Sequence, residues 1–216
     1  MKKLLAISLA FIIYSCSPVL KIQKTFQSPD VDFNHLKSSK IILGGVTSIS
    51  LSEFVNTFNY EYSTTSKLND KIFTIFCNQF ALKLPNVSFD RLNSKIPEFL
   101  SGDFLPKELK SEKATEFFND LESDYLLLVK HVDVGHTYNS YLFSSEDGVI
   151  YSGQTEKCVV SIYIEIWDVV NQQRIMDFYA GGDDSVSLFS YLAALEGAIK
   201  NSVTTAVEYI VNEGTT

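Results

Sequence analysis

The chain has 216 residues, 45% of them apolar, with 18 basic and 26 acidic side chains and a net charge of −8. That length and apolar share can fill one sizeable core. The negative charge repels polyanions, so nucleic acid is excluded as a partner, and so is a basic face docked on anionic headgroups.

Met1-Lys2-Lys3 forms a positive start, Leu4 to Tyr14 an apolar stretch, and Ser15 the small residue a cleavage site needs. The apolar stretch is shorter than the roughly 20 residues that span a bilayer, and polar sequence follows it. Residues 1–15 therefore read as a secretion signal. Ile13-Tyr14-Ser15-Cys16 resembles the bacterial lipobox, with Tyr14 where a small residue is usual. The resemblance implies that Cys16 becomes the first, lipidated residue of the mature chain and carries three acyl chains. Ser17, where an inner-membrane retention signal would show Asp, points to the outer membrane, facing the periplasm. Cleavage removes Lys2 and Lys3, leaving 16 basic against 26 acidic residues, a net charge of about −10.

Residues 16–37, with Pro18 and Pro29 and little periodicity, read as the lipidated cysteine and a tether of at most roughly 70 Å. A single globular domain is expected over 38–216. Lys40–Val46 reads as a buried strand. Residues 50–65 carry Phe54, Phe58, Tyr60 and Tyr62 in a pattern that fits helix and strand equally. Ser66–Lys83 reads as a helix, with Leu68, Ile72, Ile75, Phe76 and Phe80 on one side and Pro85 beyond its end. Val87–Leu92 reads as a short strand, and 93–110, holding Pro97 and Pro106, as loop.

Ser111–Leu121 reads as a second helix. Asp124–Val134 reads as a strand whose run Tyr125–Val129 suits a sheet covered on both faces. Cys158, Val160, Ile162, Ile164 and Ile166 alternate with Ser161, Tyr163, Glu165 and Trp167, as in a half-buried strand. Arg174–Ala180 pairs back through a turn at 168–173, and Gly181-Gly182-Asp183-Asp184 ends the pattern. A last helix carries the stripe Leu188, Leu192, Leu195, Ile199, Val203, Ala206 and Ile210, with Glu196 and Lys200 as an exposed i,i+4 pair. The expected fold is α/β (α+β): one mixed sheet covered by about three helices, in the order β-α-β-α-β-β-β-α.

Two segments resemble a family. Asn119–Val129 (NDLESDYLLLV) is similar to the helix-to-strand passage "lGaDYvlvg" of envelope lipoproteins, with Glu122-Ser123 in place of Gly-Ala. Val160–Gly181 (VSIYIEIWDVVNQQRIMDFYAG) is similar to their hairpin, with Gln172 or Gln173 where the turn has glycine. The group holds the curli secretion lipoprotein, the lipoprotein activators of penicillin-binding proteins and the N-terminal domain of the Tol translocation protein. The resemblance covers about residues 39–212 in element order and implies no shared active site.

Chemical motifs are sparse. His131 and Asp133 share a strand face, whereas His136 falls on the other parity and His35 lies apart. Two ligands fall short of a structural zinc site, so no metal and no cofactor are expected. G-x-S-x-G and a phosphate-binding loop are both missing. Cys77 and Cys158 are either two buried thiols or a disulfide that the compartment permits. Aromatic residues gather in two places that the core pattern does not require: Phe54, Phe58, Tyr60 and Tyr62, and again Tyr138, Tyr141 and Phe143. Aromatic anchors dominate many interfaces; covering the edge of their own core is the alternative.

Three roles stay open. The first is a non-enzymatic interaction or assembly module, held to the membrane through Cys16 and binding an envelope protein or copies of itself. The second is a lipid or small-ligand carrier of the outer membrane, which needs a deep apolar cavity. The third is a cell-wall hydrolase, which needs a cleft with convergent catalytic groups.

Overall fold

The computed structural model describes residues 22–51, 65–84, 88–92, 95–101, 105–144, 150–186 and 190–212. Its strands are β1 (Ile22–Gln27), β2 (Ile41–Leu51), β3 (Phe89–Arg91), β4 (Tyr125–Ser144), β5 (Ile150–Asp168) and β6 (Gln173–Ser185). Its described helices are α1 (Phe33–Leu36), α2 (Thr65–Lys83), α3 (Glu98–Ser101), α4 (Glu112–Asn119) and α5 (Tyr191–Asn212). The strands form one open sheet in the order β1-β6-β5-β4-β2-β3. β2 runs parallel to β3 and β4, and the other neighbours are antiparallel. The parallel pairs are joined by helical crossovers, whereas β4, β5 and β6 follow one another as a meander. The expected mixed α+β sheet is what the chain forms.

The first face of the sheet carries the larger core. Val129, Val132 and Val134 of β4, Cys158 to Ile166 at alternate positions of β5, and Met176, Phe178 and Ala180 of β6 are buried there under α2 and α5. Burying each such aliphatic side chain contributes about 1.5–3 kcal/mol. The expected stripe of α5 is buried at Leu195, Ile199, Val203, Ala206 and Ile210. Leu192 is only half-buried, and Leu188 lies outside the described residues. Glu196 pairs across to Lys71 of α2 at 2.7 Å, a bridge between two helices that the sequence reading did not include.

Three sequence expectations are corrected. The tether expected over 16–37 ends sooner. Ile22–Gln27 pairs with β6, and Phe33 and Leu36 of α1 bury in the core. β1 has a polar sequence because it is an edge strand, which hides its membership of the sheet. Gly181-Gly182-Asp183-Asp184 continues β6 rather than ending it. A Cβ on Gly182 would lie 2.2 Å from the Ser202 nitrogen and 2.5 Å from the Ala198 oxygen, so the glycine is what lets α5 settle on the strand. Finally, β5 is buried on both faces at its C-terminal end, where Glu165 and Trp167 lie beneath a second, smaller core formed with α3 and α4.

The β5–β6 turn supplies the position at which the resembled hairpin has glycine. Gln172 adopts φ +53° there, and its side-chain oxygen accepts from Thr115 Oγ1 at 3.1 Å, tying the turn to α4. Cys77 and Cys158 are separate free thiols. Burial pushes the Cys158 thiol up to about 12, so it behaves as a core residue rather than a nucleophile.

Two glycines should respond oppositely to one methyl group. Gly182→Ala should cost about 2–3 kcal/mol in urea unfolding, because the clash is with helix backbone. Gly135→Ala, with nothing within 4 Å of its Cβ position, should be neutral. Equal costs would show that α5 does not approach β6 as described.

Candidate interaction surface

Among the described residues, the second face of the sheet is covered at one end only. Ile42, Leu126, Leu128, Trp167 and Val169 are buried there against Leu100 of α3 and Ala114 and Phe118 of α4. Further along the strands, Tyr163, Ser161, His131, Asp133 and Tyr179 are half-exposed, and Ser48, Ser50 and Gln23 are exposed.

A bulge in β4 marks the border. Val129 pairs with Ile164 and His131 with Tyr163, so β4 spends two residues where β5 spends one. Such a bulge turns consecutive side chains to one side. Lys130 and His131 both serve the second face. Lys130 is buried and its Nζ donates to the Leu100 carbonyl oxygen. Beside it lies Glu165, only 1% exposed, which accepts from Trp167 Nε1 at 3.0 Å and from Arg174 Nη1 at 3.2 Å. Arg174 Nε also lies 3.2 Å from buried Asp177. Burial raises the Glu165 carboxyl above its ordinary range, while Lys130, Trp167 and Arg174 pull it back. Tyr163, across the strand from Tyr179, stacks on it at 4.7 Å between ring centroids. Its phenol is pushed well up by burial and then by Asp177 and Glu165. On the outer side of the sheet, Phe26 of β1 lies 4.3 Å beneath the Lys107 ammonium.

The open half is polar and aromatic. His131 Nε2 lies 2.8 Å from Asp133 Oδ1, and His131 Nδ1 lies 2.5 Å from Ser48 Oγ. Ser48 Oγ also reaches the Lys130 carbonyl oxygen at 3.1 Å. Serine, histidine and aspartate thus stand in one hydrogen-bonded row. A hydrolase adds aimed oxyanion donors and a site shut off from water. Here the His131 and Asp133 side chains are 33% and 50% exposed on an open sheet. Among the described residues no group of three or more His, Cys, Asp and Glu side chains could hold a metal ion.

A separate cleft of about 810 Å³ opens beside β3. Six of its ten lining residues are charged: Lys40, Asp90, Arg91, Lys95, Asp120 and Glu122. Such walls do not suit an acyl chain.

The residues singled out from sequence fall in three groups. His131 and Asp133 come together as their parity implied, whereas His35 is structural, 3.0 Å from the Tyr125 hydroxyl. Tyr138 is 51% exposed; its hydroxyl donates to Glu156 Oε1 at 3.2 Å. Tyr141 and Phe143 lie in β4, with side chains outside the description. Cys16, Phe54, Phe58, Tyr60 and Tyr62 lie outside the described residues. Sequence reading missed Ser48, Lys130, Glu165, Arg174 and the tyrosine pair. The one available signal was the polar step Lys130-His131 directly after an apolar run.

No family model matches the chain, and no curated protein matches it. Solved structures similar to it include the PelC dodecamer from Paraburkholderia phytofirmans, 15% identical with a TM-score of 0.39 over 85% of this chain and 94% of that one. The hypothetical protein CT253 from Chlamydia trachomatis is 7% identical, with a TM-score of 0.46 over 80% of this chain and 98% of that one. A minor lipoprotein from Acinetobacter baumannii is 9% identical, with a TM-score of 0.36 over 82% of this chain and 95% of that one. No residue role is carried over from any of them.

The buried charges make a pH-dependent prediction. Lys130→Met leaves Glu165 without its strongest compensating charge and should cost about 3 kcal/mol at pH 7. A carboxyl whose folded pKa lies above its unfolded value favours folding below the unfolded value and loses that contribution as pH rises through the folded one. The deficit of Lys130→Met should therefore shrink as unfolding is measured from pH 7 down towards pH 5. A deficit independent of pH would remove Glu165 from the account.

Proposed function

We propose that the chain is a lipid-anchored protein of the bacterial cell envelope that works by contact rather than by chemistry, binding another envelope protein or copies of itself. Acylation of Cys16 would hold it to the outer membrane, facing the periplasm. The observation that carries the reading is the half of the second sheet face that no described element covers. A row of serines, His131, Asp133 and the Tyr163–Tyr179 stack lies there, backed by a buried charge network that fixes the strands beneath. Rigid aromatic groups among adaptable hydrogen-bonding ones are suited to specific docking.

No helix among the described residues is long and apolar enough to cross a membrane, so the lipid is the anchor the reading relies on. The charged walls of the β3 cleft do not suit an acyl chain at that site, and the solvent-open Ser48–His131–Asp133 row does not suit a hydrolase.

Asp133→Lys and Ser161→Arg should fold within about 0.5 kcal/mol of the parent, since both positions are solvent-accessible. Both should lose the crosslinked partner captured by the parent from detergent-solubilised envelopes. Capture at parental levels by both variants would move the contact off this face. Fluorophosphonate should leave the parent unlabelled; labelling that vanishes in Ser48→Ala would restore the hydrolase instead.

A further inference from the structure

β4 and β5 outrun the rest of the sheet. The last β2 partner of β4 is Val134, and β6 leaves β5 at Lys157, opposite Ser185. From Asn139–Thr155 to Ser144–Ile150, six rungs continue as a two-stranded ribbon, with no third strand among the described residues. A hairpin of that kind is at best marginally stable in water by itself.

The direction of β1 gives the ribbon a setting. β6 runs towards the ribbon end, and β1 is antiparallel to it, with Ile22 opposite Ala180 and Gln27 opposite Met176. The chain therefore enters β1 from the end of the sheet at which the ribbon projects. Six residue steps separate Cys16 from Ile22, a reach of at most about 21 Å. Ala180 stands level with Ile162, and from Ile162 to Ile150 the ribbon runs about 40 Å in the same direction. The ribbon reaches further than the lipidated residue can.

We propose that the distal β4–β5 ribbon rests in the interface of the phospholipid bilayer that holds the acyl chains of Cys16. This rests on the acylation of Cys16 put forward above. With the anchor at the bilayer surface, a ribbon that projects past it is long enough to dip into the headgroup layer or to tilt along it. Its sequence suits that layer: Tyr138, Tyr141, Leu142 and Phe143 on one strand, Ile150 and Tyr151 on the other. Tyrosine and other amphipathic aromatic rings favour the membrane–water interface. Phe143 and Tyr151 are direct cross-strand partners, so the aromatic residues are concentrated near the tip. Attraction of this kind needs no anionic lipid, in keeping with an acidic chain. Its open edges find lipid headgroups and interfacial water as hydrogen-bonding partners.

The full acylated chain, reconstituted into vesicles of phosphatidylcholine and phosphatidylethanolamine with brominated acyl chains, tests this. Its single native tryptophan, Trp167, is buried at the opposite end of β5 and serves as an unquenched reference. Phe143→Trp, or Tyr141→Trp if the first variant does not fold, should add emission that brominated lipid lowers by about half. Val170→Trp, 78% exposed in the turn at the far end, should add emission that lipid leaves unchanged. Equal quenching at the two ends, or none at the ribbon, overturns the proposal. So does a blue shift of the ribbon tryptophan that follows protein concentration and not lipid, which would assign the ribbon to a second copy. The mass of the N-terminal peptide reads acylation separately. An unmodified Cys16 removes the anchor itself, whereas an acylated chain with an unquenched ribbon removes only the bilayer contact.

Discussion

A strand advances about 3.3 Å per residue and a helix about 1.5 Å, and the arrangement of this protein follows from that mismatch. The 22 residues of α5 cover about 33 Å. The 20 residues of β4 extend about 65 Å, and β5 is nearly as long. Helices of this length cannot shield such strands from end to end. The first face is filled where α2 and α5 lie, the second is closed at one end by the short α3 and α4, and among the described residues no helix covers the remainder of β4 and β5. The two surfaces proposed for contact are what the described helices leave uncovered.

The border between covered and open sheet is held by charge. An apolar second core ends at Trp167, and the next positions carry Glu165, Lys130, Arg174 and Asp177. A buried pair of this kind seldom adds net stability over apolar replacements. What it does here is tie three neighbouring strands and the α3 carbonyl of Leu100 into one register. The bulge at Lys130 is needed for that, since without it either Lys130 or His131 would turn into the first core. The same irregularity therefore places the lysine underneath and the histidine on the open surface.

Where one face is buried and the other partly wet, period gives the strand away, and the alternation from Cys158 to Ile164 is legible for that reason. The helices α2 and α5 are legible through their apolar stripes, and the structure adds that Ser111 caps the start of α4. β1 was hidden because an edge strand pairs through its backbone and needs no apolar signature. The continuation of β6 through Gly181-Gly182 was hidden because the reason for the glycine is a helix packed from far along the chain. Lys130, Glu165 and Arg174 are far apart or alternate in sequence, and only the register of three strands brings them together. On the open surface, the shared parity of His131 and Asp133 was readable, whereas Ser48 reaches them only through the parallel pairing of β2 with β4.

The pairing of β1 with β6 also orders events in time. Ile22 waits for Ala180, a partner more than 150 residues later in the chain, and closing a loop that long is slow compared with forming local helices and the β4–β5–β6 meander. Until the C-terminal third is available, β1 has no partner and β6, once formed, keeps a bare edge of the kind that recruits other chains. The first described strand of the protein thus makes the longest-range pairing in the sheet, and that pairing is what closes the β6 edge.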